Sequence, residues 1–130
     1  MMMLLAWDSS YSAALVFQLA TDHVDELAAI LVFSPVSGEA LADCKPEKHS
    51  GELEVPVLAL RSAREMENES TQKQLALFKE QGLQTFVADP GVHGSSMLNA
   101  ERVGAATDKT WAVGLGFLAD NIDEKSLITD

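Results

Sequence analysis

The sequence predicts an α/β fold: a three-layer sandwich in which a mainly parallel sheet of about four strands is flanked by helices. Two observations carry this. Four short apolar runs, Met1–Trp7, Ala29–Phe33, Val55–Leu60 and Leu83–Ala88, have the length of strands, and the first three are continuous enough to be buried on both faces. The segments between them include stretches with helical spacing, and strands alternating with helices imply parallel βαβ units with right-handed crossovers. A chain of 130 residues with 47% hydrophobic content is sufficient for one globular domain, expected to span 1–130.

Each element follows from its residues. The run from Met1 ends at the small polar residues Asp8 to Ser12, and a helix follows in which Ala13, Val16, Phe17 and Ala20 share one face while Leu15 and Leu19 lie on another. Such a helix, apolar nearly all round, is expected inside a protein. Ser34-Pro35 stops the second strand. Val36 to Glu54 is polar, with Gly38, Pro46 and Gly51, and reads as a loop with at most a short helix. The third strand tolerates Pro56 near its start. Asn68 to Gln81 is amphipathic, with Asn68 or Ser70 as cap, Leu75 and Phe78 inward and Gly82 at the position after its end. The fourth strand is more polar and belongs near an edge. Asp89 to Asn99 is a loop, and Thr107 or Asp108 starts a last helix with Trp111, Leu115, Leu118 and Ile122 at helical spacing. The tail after Asp123 is expected to fray.

Charge and composition exclude several roles. A net charge of −11 repels nucleic acid and anionic membrane surfaces. The single Cys44 permits no intrachain disulfide and no cysteine-based metal site, which is compatible with a reducing, cytoplasmic setting. No apolar run reaches the length of a membrane span, and the opening MMMLLAW lacks the basic region and cleavage site of a signal peptide. No cofactor is expected. His23 and His49 read as structural or exposed, and Cys44, Glu47, His49 and Glu52 match no metal spacing.

In parallel sheets, reactive groups collect at the carboxyl ends of the strands. Three polar clusters fall there: Trp7 to Ser12 after the first strand, Arg61-Ser62-Ala63-Arg64-Glu65 after the third, and Pro90-Gly91-Val92-His93-Gly94-Ser95-Ser96 after the fourth. They present a serine, a carboxylate and a histidine in that order. A serine hydroxyl is a weak nucleophile unless a base stands within hydrogen-bond reach, and a histidine held by a carboxylate is suited to that task.

The run Trp7-Asp8-Ser9-Ser10-Tyr11-Ser12-Ala13-Ala14-Leu15 resembles the nucleophile elbow of a subgroup of bacterial α/β-hydrolases. Gly91-Val92-His93-Gly94-Ser95-Ser96 is similar to that subgroup's catalytic-histidine loop, and Phe33-Ser34-Pro35 and Val55-Pro56-Val57-Leu58 resemble its next two strands. The likeness covers nearly the whole chain but only the family's second half. It implies Ser10 as nucleophile, Glu65 as acid, His93 as base, and the backbone N–H of Tyr11 as one donor of an oxyanion hole at a helix N-terminus. The elbow departs from G-x-S-x-G, with Asp8 and Ser12 in the places of the two glycines. Ser12 is small; Asp8 brings bulk and negative charge beside the serine. Reading Ser9 or Ser12 as nucleophile fits the elbow less well.

Two classes of function follow from the resemblance. One is a serine hydrolase of a small ester, thioester or amide, working through an acyl-enzyme. The other is a catalytically silent α/β module that binds a partner or small ligand in the same cleft. A flavodoxin-like binding domain is a weaker third, since no Gly-rich phosphate loop is present. Because the family places strands before its elbow, the loop supplying a second oxyanion donor is expected to be missing, at a typical cost of about 2.7–4 kcal/mol of transition-state stabilisation. The strand Met1–Trp7 is then expected to be an apolar edge without Pro, Lys or bulge, covered in a homodimer or by a separate chain.

Overall fold

The structure is a computed structural model, and it describes residues 4–36 and 45–122. Four strands, β1 (Leu4–Ser9), β2 (Leu27–Phe33), β3 (Val57–Ser62) and β4 (Gln84–Ala88), form one sheet in the order β1-β2-β3-β4. All three pairings are parallel. Among the described residues the α-helices are α1 (Ser10–Asp22), α2 (Pro46–His49), α3 (Glu69–Glu80), α4 (Ala100–Val103) and α5 (Asp108–Asn121).

Sequential strand order with crossovers of one hand puts the connecting helices on one face. Accordingly α1 and α3 pack together on the sheet, where Ala13, Val16, Phe17, Leu75 and Phe78 meet Ile30, Val32 and Ala59. The rings of Phe17 and Phe78 stack with centroids 5.5 Å apart, tying the two helices to each other. On the opposite face α5 covers Leu31, Phe33, Leu58 and Leu60 through Phe117, with Met97 beside it. The alternation of β2 sorts its residues between the two layers, which is why an unbroken apolar run was needed there.

Several details differ from the sequence expectations. Strand β1 runs on through Asp8 and Ser9, and Met1–Met3 lie outside the described residues, as do Cys44 and the tail from residue 123. The turn before Ser10 costs no extra residues because α1 begins at Ser10 itself. Helix α1 buries one face only: Leu15 and Leu19 are exposed. In α5 the buried residues are Thr110, Gly114 and Phe117, while Trp111 and Leu115 are 41% and 54% exposed. Trp111 stays at the rim, where its Nε1–H donates to the Leu98 carbonyl at 2.8 Å. The short helix α4, capped by the Asn99 side chain, was not foreseen. Asn68 caps α3 as expected, accepting from the Ser70 N–H, and Gly82 follows that helix with φ +87°.

β1 and β4 are the two edges of the sheet. The pairing of β1 with β2 contains an irregularity, since Leu4 pairs with Leu27 and Leu5 with Ala29, leaving Ala28 as the extra residue on β2. The extra residue lies on β2, which is paired on both sides, and not on the edge strand β1. Leu4 and Trp7 are exposed along it, and Asp8, Ser12, Leu15 and Leu19 line a groove beside it. Among the described residues no helix is long and apolar enough to cross a membrane.

Candidate active site

The carboxyl ends of β1, β3 and β4 bring Ser10, Glu65 and His93 together. Ser10 stands at the junction of β1 and α1 with φ +59°, a left-handed backbone that is uncommon for a side-chain-bearing residue. A sharp turn of this kind lifts the side chain off the sheet, and strain at such a position clusters at functional sites. Its carbonyl accepts the Val36 N–H at 3.3 Å, which anchors the turn to the chain leaving β2.

His93 arrives from the far edge. The loop after β4 crosses the ends of β3 and β2 and places the imidazole Nε2 3.0 Å from the Ser10 Oγ. Its Nδ1 lies 2.8 Å from Glu65 Oε1. An ionised carboxylate only accepts, so Nδ1 carries the proton and donates, and Nε2 is left with a lone pair toward the Ser10 hydroxyl. The His93 side chain is 53% exposed and that of Glu65 13%, so the array is buried at the carboxylate and open at the imidazole.

Two glycines explain the loop's path. A Cβ on Gly91 would stand 2.6 Å from the Ala88 carbonyl oxygen and 3.0 Å from Ser62 Cβ, so only glycine lets the loop lie this close to β3 and β4. Gly94 has φ +73°, and a Cβ there would meet Ser9 Oγ at 2.7 Å. The next amide, the N–H of Ser95, donates to that same Ser9 Oγ at 3.0 Å.

Glu65 follows β3 in a single helical turn, Glu65–Glu67. Its Oε2 accepts from the Ser62 N–H at 2.8 Å, the Ser62 hydroxyl at 3.0 Å and the Ser34 hydroxyl at 2.8 Å. Its Oε1 accepts from Arg61 Nη1 at 3.0 Å as well as from His93. Burial by itself would raise the Glu65 pKa. The Ser62 N–H, His93, the Ser34 hydroxyl and the Arg61 charge outweigh burial and hold the carboxyl below its ordinary range. Arg61 is 3% exposed, and burial pulls its pKa down against the opposing pull of Glu65 and Glu47. Its remaining donors reach Gln74 Oε1 and, at 2.6 Å, the Pro35 carbonyl. Among the described residues no buried side-chain nitrogen or oxygen lacks a partner.

Tyr11 lies in the first turn of α1, where backbone N–H groups have no acceptor within the helix, and its side chain is exposed. Asp8 is half-buried, and its Oδ1 accepts from the Ser9 N–H at 3.0 Å. The bulk of Asp8 is tolerated because β1 is an edge strand and the side chain meets an open groove. Ser12 is exposed on α1.

The sequence thus pointed to the three side chains that meet. It did not point to Ser34, Ser62, Arg61 or Gln74 as their supports. Arg61 offered one signal, a lone cation in an apolar strand; Ser34 offered none. Among the described residues no group of three metal-ligating side chains is assembled. No family model, curated protein or solved structure matches this chain.

Proposed function

We propose that this chain is a serine hydrolase acting on a small ester, thioester or amide, with Ser10 as nucleophile, His93 as general base and Glu65 as its orienting acid. The hydrogen-bond chain Glu65–His93–Ser10, with spacings of 2.8 and 3.0 Å, carries the proposal. The left-handed backbone at Ser10 and the resemblance of its flanking sequence to an α/β-hydrolase elbow support it.

The chemistry follows from the geometry. Ser10 Oγ attacks the substrate carbonyl carbon as its proton passes to His93 Nε2, and the carbonyl π electrons move to oxygen. The Tyr11 N–H and the N-terminus of α1 face the negative charge that develops there. Glu65 stabilises the imidazolium without taking its proton. Collapse of the tetrahedral species breaks the bond to the leaving group, which takes the proton from Nε2. Water, deprotonated by the same nitrogen, then attacks the acyl-enzyme and releases the acid and free Ser10.

A fluorophosphonate probe tests this directly, since the serine oxygen displaces fluoride and forms a stable phosphonyl adduct. The adduct is expected at Ser10 and is expected to disappear in Ser10→Ala and His93→Ala. A folded wild-type protein that takes no label would favour the ligand-binding reading of the same cleft, and label retained in Ser10→Ala but lost in Ser12→Ala would move the nucleophile.

A further inference from the structure

Ser34 follows β2 directly with φ +52°, is fully buried, and is the second of two non-glycine residues with positive φ among those described. Glycine adopts this conformation without the penalty a side chain carries. That a serine stands there directs attention to its hydroxyl. The Oγ donates to Glu65 Oε2 at 2.8 Å and accepts from the Gly94 N–H at 2.9 Å. A hydroxyl has one proton to give and lone pairs to receive, so both bonds are made together. One oxygen therefore touches the acid and the residue next to the base.

We propose that Ser34 is a positioning residue that sets the His93 loop in register with the Glu65 carboxylate, through a path parallel to the direct bond between them. The inference rests on the hydrolase proposal for its kinetic consequence, though not for its geometry. Ser9 holds the neighbouring Ser95 N–H at 3.0 Å through its hydroxyl, but the hydroxyls that reach Glu65 are those of Ser34 and Ser62. Without the Ser34 hydroxyl, the buried Gly94 N–H loses its acceptor, which is costlier than losing an exposed bond. Glu65 keeps its bonds to Ser62 and Arg61, so the acid stays while the base loop loosens. The effect falls on the 3.0 Å approach of His93 to Ser10.

Ser34→Gly in the full chain removes the hydroxyl and suits the positive φ, so its melting temperature is expected to fall less than that of Ser34→Ala, the second variant. Two readouts are followed: the rate of fluorophosphonate labelling at Ser10, and the solvent exchange of the His93 Nδ1 proton by NMR. Labelling is expected to slow roughly ten- to a hundredfold, the kinetic equivalent of one hydrogen bond to a charged group. The Nδ1 proton is expected to exchange faster in both variants. A folded Ser34→Gly protein with the wild-type labelling rate and proton exchange overturns the proposal, as does a labelling loss matched by an equal loss of stability in both variants. If the wild type takes no label, the hydrolase proposal fails by itself, and the Nδ1 exchange alone decides the role of Ser34.

Discussion

Arg61 and Glu65 lie four residues apart across the end of β3 and are joined at 3.0 Å by an ion pair in which the guanidinium is almost wholly buried. The same Arg61 reaches the Pro35 carbonyl and Gln74, so it ties the acid to the end of β2 and to α3. Removing one partner of a buried pair leaves the other without compensation. Arg61→Met is therefore expected to lower stability by about 3 kcal/mol, the low end of the range for buried pairs because Glu65 keeps some contact with water. Arg61→Lys is expected to recover little of this, since an ammonium cannot present the guanidinium's planar fork to three acceptors. Urea unfolding followed by far-UV circular dichroism measures both.

Gly94→Ala combines a positive φ with a Cβ 2.7 Å from Ser9 Oγ. The sheet does not depend on this loop, so far-UV dichroism is expected to change little. Labelling at Ser10 is expected to fall at least tenfold, because a base displaced by about 1 Å loses that order of rate. Equal labelling rates in the two proteins would show that the loop can yield without moving His93.

The Glu65 carboxyl is held below its ordinary range, against burial, by the Ser62 N–H, His93, Ser34 and Arg61. A group with a depressed folded-state pKa adds stability that is present above its unfolded value, about 4.3 for glutamate, and is lost as pH falls through the folded value. Wild type minus Glu65→Gln stability is therefore expected to be constant from pH 7 down to about 5 and to shrink below it. A difference that grows on acidification would contradict the assigned bonds.

Asp8 puts a carboxylate two residues before the nucleophile, where it opposes an oxyanion forming near the Tyr11 N–H. Asp8→Asn keeps an oxygen for the Ser9 N–H and removes the charge. It is expected to raise the labelling rate several-fold, and Asp8→Gly to raise it as well. Unchanged rates in both would show that the groove at the β1 edge screens this charge from the site.

Much of the fold was legible because buried parallel strands leave unbroken apolar runs, as Leu27–Phe33 does in filling both layers. Helix α5 was phased on its largest residues, whereas the face that packs is the one carrying Thr110, Gly114 and Phe117. Apolar residues recur on more than one side of this helix, so their spacing alone does not choose the face that is buried. The three central side chains of the site were legible from strand-end position and order. Ser34 was not, because its hydroxyl meets Glu65 across 31 residues and Gly94 across 60, and a serine after a strand carries no mark of such partners.

His93 follows the last strand and Ser10 the first, and these are the two outer strands of the sheet. A molecule gripped between Ser10 and His93 is consequently a tie between opposite margins of the molecule, in the way a tie-beam joins two walls. A ligand held against both residues is thus expected to be felt by the whole sheet. By mass action, whatever binds there only in the folded state adds stability as RT ln(1 + c/Kd) at free concentration c, so the melting temperature rises with the logarithm of its concentration once that exceeds Kd.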